Sequence, residues 1–175
     1  KKFLIIGNVN AITYKDVFKL IKGNKIWLGI TMDGRNKWFR VPDDYPINEN
    51  VANSKIENGG KYLFVKGCLW FTNLDNQKRH EKLTLYKKYT PEEYPMYDNY
   101  NAIEVSKVSE IPVDYDCTMG VPITFLNKYN PAQFEILGMC ENLDLYKLKT
   151  RVYTSEECKK RYFELFGKKG TYDLN

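Results

Sequence analysis

Phe3-Leu4-Ile5-Ile6-Gly7, Tyr14-Lys15-Asp16-Val17-Phe18-Lys19-Leu20-Ile21 and Ile26-Trp27-Leu28-Gly29-Ile30 are the stretches whose reading decides the fold. The first is a continuous apolar run ended by glycine, the pattern of a strand buried on both faces. A polar loop, Asn8-Val9-Asn10, follows it. Thr13 with Asp16 then forms a loose capping arrangement, and Tyr14, Val17, Phe18 and Ile21 share one face of a short helix that Gly23 stops in the left-handed conformation. The third stretch is a second strand of the buried kind. Strand, short helix and strand within thirty residues read as a βαβ unit of an α/β sheet.

Beyond it the pattern changes. Trp38-Phe39-Arg40-Val41 reads as a short strand stopped by Pro42, and the polar segment from Asp43 to Glu57 reads as a loop. Asn58-Gly59-Gly60 is a turn signal, with strands predicted at Tyr62–Val65 and Cys68–Thr72, divided at Gly67. The region from Asp75 to Asp116 is basic, rich in tyrosine and punctuated by proline; its strands are predicted at Ile103–Val105 and Val121–Leu126. Asn130-Pro131-Ala132-Gln133 has the form of a helix start, with Gly138 as its stop. Thr154 and Glu157 open a last helix with Cys158, Tyr162, Leu165 and Phe166 on its apolar face, ended by Gly167.

The 175 residues are 43% apolar and 28% charged, the composition of a packed globular domain. The aromatic content is high, with 14 Tyr, 9 Phe and 3 Trp. The net charge of +5 is concentrated: from Lys78 to Lys88, five basic residues face Glu81 alone, a net +4. Such clustering is the footprint of a polyanion partner. The four cysteines form no C-x-x-C pair and the chain has one histidine, so no metal site is expected and reduced cytoplasmic thiols are. No apolar run is long enough to span a membrane. No G-x-S-x-G, H-E-x-x-H, Walker loop or G-x-G-x-x-G is present, so nothing marks a self-contained hydrolase or nucleotide-binding motif.

Three groups of residues could carry function. Asn8 and Asn10 follow a predicted strand, where ligands of open α/β sheets bind, and an amide offers a donor and an acceptor to a base edge. The alternative, common for Asn, is a turn in which both satisfy local backbone. Trp70 and Phe71 alternate on a strand, so one belongs to the core and the other is free to stack on an extruded base, or both are buried. Lys78, Arg79, His80, Lys82, Lys87 and Lys88 are candidate phosphate contacts, the alternative being a solvated charged loop. His80 has no evident metal or nucleophile partner and reads as a phosphate or solvent contact.

The blocks Lys2–Lys15, Asn24–Gly29, Cys68–Leu74, Tyr97–Tyr100, Ile111–Asp116 and Met119–Leu126, with Asn130-Pro131 and Gln133-Phe134, resemble in order the EcoRI-type adenine-specific DNA methyltransferases. The likeness runs from Lys2 to about Gly138. The resemblance implies methyl transfer from S-adenosylmethionine to N6 of adenine in duplex DNA, in a restriction–modification setting. The family's Asn-Pro-Pro-Phe-type tetrapeptide grips the flipped adenine, and positioning and desolvation supply the rate. No two prolines are adjacent here, and the main cofactor-binding motif is also absent. The expectation is therefore a fragment, inactive alone, whose missing parts lie upstream of Lys1.

The expected architecture is α/β. Residues 1–74 would form the rear of a Rossmann-like methyltransferase sheet, βαβ and then antiparallel strands. Residues 75–175 would form an appended α+β target-recognition region, with a tail at 139–175. By position, Asn8 and Asn10 would flank the adenine pocket, with Trp70 or Phe71 at its wall. The competing readings are a stand-alone nucleic-acid-binding module without catalysis, and an α/β domain whose aromatics meet a protein partner.

Overall fold

The computed structural model describes residues 1–30, 37–48, 52–98, 100–140, 146–148 and 154–170, with the backbone alone at Leu165. The chain divides into two units, one made of residues 1–81 and 126–132 and the other of residues 82–125 and 133–175.

The first unit opens with β1 (Leu4–Asn8), a 3-10 turn at Val9–Thr13, α1 (Lys15–Lys22) and β2 (Trp27–Leu28). Then come β3 (Trp38–Val41), β4 (Ser54–Glu57), β5 (Gly60–Phe64) and β6 (Cys68–Thr72). The strand–helix–strand reading holds, but β1 and β2 are not neighbours. β6 lies between them in the order β1-β6-β2 and is antiparallel to both, so β1 and β2 run parallel with a reversed strand inserted. The central strand carries the buried side chains Cys68, Leu69, Phe71 and Thr72.

The expectation that β1 is buried on both faces is overturned. Leu4, Ile5 and Ile6 are 53%, 55% and 44% exposed, because among the described residues β1 pairs with β6 alone. The second sheet, β3-β5-β4, is an antiparallel meander. Its β4–β5 hairpin turns on Asn58 and Gly59, at φ 48° and 74°, the two positive angles of a type I′ loop. β4 corrects the reading of residues 43–57 as loop throughout: Ser54–Glu57 has a partner strand two residues away, and that tertiary pairing overrides its polar composition.

Both ends of α1 depart from the sequence reading. Thr13 does not cap it; its hydroxyl donates to the Asn10 carbonyl at 2.8 Å, and Tyr14 occupies the cap with no side-chain bond. The left-handed residue at the other end is Asn24, φ 56°, while Gly23 sits at φ −75°. Bonds from Asn24 N–H to the Ile21 carbonyl (3.0 Å) and Lys25 N–H to the Leu20 carbonyl (2.9 Å) complete a Schellman closure.

The second unit is sparing in regular structure. A two-residue parallel ladder joins β7 (Ile103–Glu104) to β8 (Met119–Gly120), and α2 (Ser155–Phe166) lies near its end. Its core is Tyr94, Ala102, Ile103, Val105, Ile111 and Phe125. The strand predicted at Val121–Leu126 is instead a 3-10 turn at Ile123–Asn127, begun when Phe125 N–H bonds the Pro122 carbonyl at 2.8 Å. α2 matches its prediction at both ends: Thr154 and Glu157 form a reciprocal capping box, and Gly167 closes it at φ 64°. Cys158 is buried on it and Phe166 is exposed; the Leu165 side chain lies outside the described residues. Among the described residues the fold is mixed α/β with small sheets and two α-helices, and no helix is long and apolar enough to cross a membrane.

Candidate functional site

The loop that leaves β1 is held tightly to its own unit. Asn8 ends the strand at φ −66°, ψ 141°, and its Oδ1 accepts from Asn10 N–H at 2.8 Å, capping the 3-10 turn. Val9 N–H donates to the Gly67 carbonyl at 2.7 Å, and Gly67, at φ 67°, makes the bend between β5 and β6 that presents this carbonyl. Asn8 and Asn10 are both exposed. One acceptor of Asn8 is thus spent on local backbone, as the turn reading of these residues anticipated.

Trp70 and Phe71 separate cleanly. Phe71, opposite Ile5 on one side and Leu28 on the other, is 7% exposed. A Cβ added at Gly7 would stand 2.9 Å from its ring, so the glycine is what lets the ring pack this close to β1. Phe71 is a core residue. Trp70 points to the other face and is half-buried, close against Gly29, where an added Cβ would stand 2.8 Å from the Trp70 Cβ. Of the pair, Trp70 alone retains accessible ring surface.

The strand register sets Asn8 opposite Cys68 and Leu4 opposite Thr72. Asn8 and the 3-10 turn Gln77–His80 therefore leave the sheet at opposite ends, and the structure does not bring them together as one cluster. In that turn Lys78 Nζ reaches back to the Ile30 carbonyl at 3.3 Å. Arg79 lies over the Trp27 indole, its Cζ 3.5 Å from the ring centre, and donates through Nη2 to Asn24 Oδ1. His80 Nε2 meets Asp75 Oδ1 at 2.7 Å in an exposed pair. The hydrogen bond to His80, opposed by a little desolvation, holds the Asp75 carboxyl below its ordinary value.

What anchors the turn is a residue that the sequence presents as a helix start. Residues 131–133 form only a turn, and no helix runs to Gly138. Asn130 is 3% exposed, accepts from Ala132 N–H at 2.8 Å, and donates through Nδ2 to the carbonyls of His80 and Glu81 at 3.2 and 3.3 Å. An Asn-Pro signal has been used to join two distant segments in place of capping a helix.

Lys82, Lys87 and Lys88 belong to the second unit. Lys82 and Lys88 are exposed, whereas Lys87 pairs with Glu93 at 3.5 Å, which raises its pKa. Aromatic rings gather beside them: Tyr89 stands 4.8 Å from Tyr115 and 6.0 Å from Tyr94, and Tyr86 is 67% exposed. The sequence reading missed a comparable surface on the β3-β5-β4 sheet. There Trp38, Tyr62 and Phe64 share a face, with Lys55 Nζ 4.9 Å from the Trp38 ring and 5.5 Å from Tyr62. Its signal was the period-two spacing of Trp38 with Arg40 and of Tyr62 with Phe64. Among the described residues no three His, Cys, Asp or Glu side chains gather as a metal site would need.

Comparison with known proteins places this arrangement. The family model for the adenine-specific methyltransferase EcoRI matches residues 1–173, and so takes in both units. The chain belongs to that family. It is 51% identical over 146 residues to the type II methyltransferase M.EcoRI of Escherichia coli, an alignment covering 82% of this chain and 44% of that protein. It is also 37% identical over 158 residues to the type II methyltransferases M.MgeORF184P of Mycoplasma genitalium and M.MpnI of Mycoplasma pneumoniae, covering 87% of this chain in each case and 50% and 49% of theirs. The chain spans about half the length of the curated relatives it matches. No solved structure matches it.

Proposed function

We propose that this chain is the rear part of an enzyme that transfers a methyl group from S-adenosylmethionine to N6 of adenine in duplex DNA, acting in the cytoplasm as the modification half of a restriction–modification pair. The observation that carries this reading is the family match over residues 1–173, supported by three relatives whose names are those of type II methyltransferases. In this reading residues 1–74 are the last strands of a Rossmann-like sheet. A reversed strand threaded between two parallel ones, with an apolar outer strand exposed at the edge, suits the end of a larger sheet. Residues 75–175 supply the target-recognition region, the tail 139–175 included.

Asn8 and Asn10, exposed at the carboxyl end of β1, stand where such sheets bind ligands, and Trp70 is the ring available to stack on an extruded base. Phe71 supports that wall from the core. Lys82 and Lys88 are the freest cations for backbone phosphates, with Lys78, Arg79 and His80 on the first unit and Lys87 beside Glu93. S-adenosylmethionine is the methyl donor of such enzymes. The residues from Asn8 to Thr13 bond one another and form no cradle for it, so no residue of this chain is assigned to hold it.

The test is methyl transfer from labelled S-adenosylmethionine to duplex DNA. The 175-residue chain alone gives no transfer above background. A hybrid in which its aligned 146 residues replace their counterpart in M.EcoRI methylates adenine N6. A folded hybrid that binds DNA without methylating it would overturn the proposal, as would activity from the chain by itself.

A further inference from the structure

The Arg79 guanidinium is more constrained than a phosphate-seeking surface arginine needs to be. One face lies on Trp27, whose ring is itself fixed by an Nε1–H bond to the Leu74 carbonyl at 2.9 Å. Nη2 is taken by Asn24, and Asn24 is locked at φ 56° by the Schellman closure of α1. The carbonyl end of α1 favours a cation at this point. The other terminal nitrogen, Nη1, is buried and has no hydrogen-bond partner among the described residues. A buried donor left unsatisfied costs about 1–3 kcal/mol, more on a charged group. A guanidinium does not relieve that cost by losing its proton.

Arg79 lines a cleft whose other polar residues are Asn76, Lys78, Asn127 and Tyr129, with no carboxylate among the lining residues. Asp75, whose charge acts on Arg79, has its Oδ1 engaged by His80. The cavity volume is about 30 Å³, which at about 10–15 Å³ for each water-sized group admits two or three such atoms and excludes a nucleobase. Two oxygens of one oxyanion meet that size and that donor-rich lining together.

The geometry points to a site for a single phosphate group, with Arg79 Nη1 donating to one of its oxygens and Lys78 adding a second positive charge. Arg79 is placed there by Trp27 and Asn24, so the site is preformed. Burial, which lowers the guanidinium's pKa, agrees with a group short of solvation. The phosphate is either a phosphodiester of bound DNA, in which case the inference rests on the function proposed above, or free phosphate, in which case it stands alone.

Replacing Trp38 and Trp70 by Phe leaves Trp27 as the single indole reporter of the chain. Titration with inorganic phosphate, against chloride at matched ionic strength, is expected to give a saturable change in Trp27 fluorescence. In Arg79→Lys, which keeps the charge and loses the fork, the affinity falls at least about tenfold. No difference from chloride in the parent chain overturns the site, and this result does not depend on any Arg79 variant folding. An unchanged phosphate affinity in Arg79→Lys, with native circular dichroism, overturns the role of Arg79. A duplex that competes with phosphate for the Trp27 signal identifies the phosphodiester as the source. A duplex that binds by anisotropy without moving that signal overturns the DNA source and leaves the free-phosphate site standing. A reporter chain that answers phosphate, beside an unaltered chain with Trp70 in place that binds no duplex by anisotropy, overturns the DNA reading alone.

Discussion

Replacing Asn130 with alanine tests how the candidate DNA turn is held. The change removes three hydrogen bonds: from Ala132 N–H at 2.8 Å, and to the His80 and Glu81 carbonyls at 3.2 and 3.3 Å. At about 0.5–1.5 kcal/mol each, the loss lies between about 1.5 and 4.5 kcal/mol. Asn130 itself is 3% exposed, but His80 and Glu81 are exposed residues whose carbonyls can take water once the amide is gone. The lower half of the range therefore applies, about 2 kcal/mol. For a chain of this length that lowers Tm by about 4–8 °C in a calorimetric or circular-dichroism melt. Hydrogen exchange adds a local readout, because Arg79 and Glu81 N–H groups bond within the same turn and should lose protection first. A Tm unchanged within about 1 °C, with exchange at residues 77–81 also unchanged, refutes the account of this residue as the tie between the two segments.

Two further variants follow from the packing. Gly7→Ala places a methyl 2.9 Å from the Phe71 ring and is expected to destabilise by about 1–3 kcal/mol in urea unfolding; a neutral result would show that the ring is not pinned against β1. Tyr97 titrates high, pushed up to about 12 chiefly by burial, with Glu104 and Cys140 adding to the effect. Its folded value lies above the unfolded value of about 10, so its stabilisation is complete below about pH 10 and is lost as pH rises toward 12. Tyr97→Phe should flatten that alkaline loss, and ultraviolet titration should miss one late phenolate; a wild-type chain whose phenols all ionise near pH 10 contradicts it.

Local chemistry carried much of the fold into the sequence. The hairpin at Asn58-Gly59, the capping box at Thr154 and Glu157, and the strand at Cys68–Thr72 were legible because each depends on residues within a few positions of one another. What was hidden depends on partners far along the chain. The apolar run of β1 reads as a doubly covered strand, yet among the described residues its one paired neighbour is β6, sixty-odd residues away, and Leu4, Ile5 and Ile6 are exposed. Asn130-Pro131 carries the composition of a helix cap, and only the arrival of His80 and Glu81 beside it shows that the amide serves a tertiary junction. The resemblance to the EcoRI-type family was plain from ordered blocks, and the match over residues 1–173 extends it through the tail where no likeness was visible.

The candidate site was legible as a set of residue types and not as a geometry. Alternation on β6 announced that Trp70 and Phe71 face opposite ways, but Gly7 decides which is core. The basic window from Lys78 to Lys88 reads as one patch, whereas its members fall in two units and differ in freedom: Arg79 is stacked and half-buried, Lys87 is paired, and Lys82 and Lys88 are exposed. Trp27, Asn24 and Tyr129 were missed because nothing in their spacing links them to residue 79.

The central claim, that this chain is a DNA-contacting part of an adenine methyltransferase, is tested most directly by its affinity for a labelled duplex as salt is raised. With Lys78, Arg79, Lys82 and Lys88 each meeting a phosphate, log affinity should fall with log salt at a slope of about −3 to −4. Binding that is absent at about 50 mM salt, or a slope shallower than about −1, would contradict the claim.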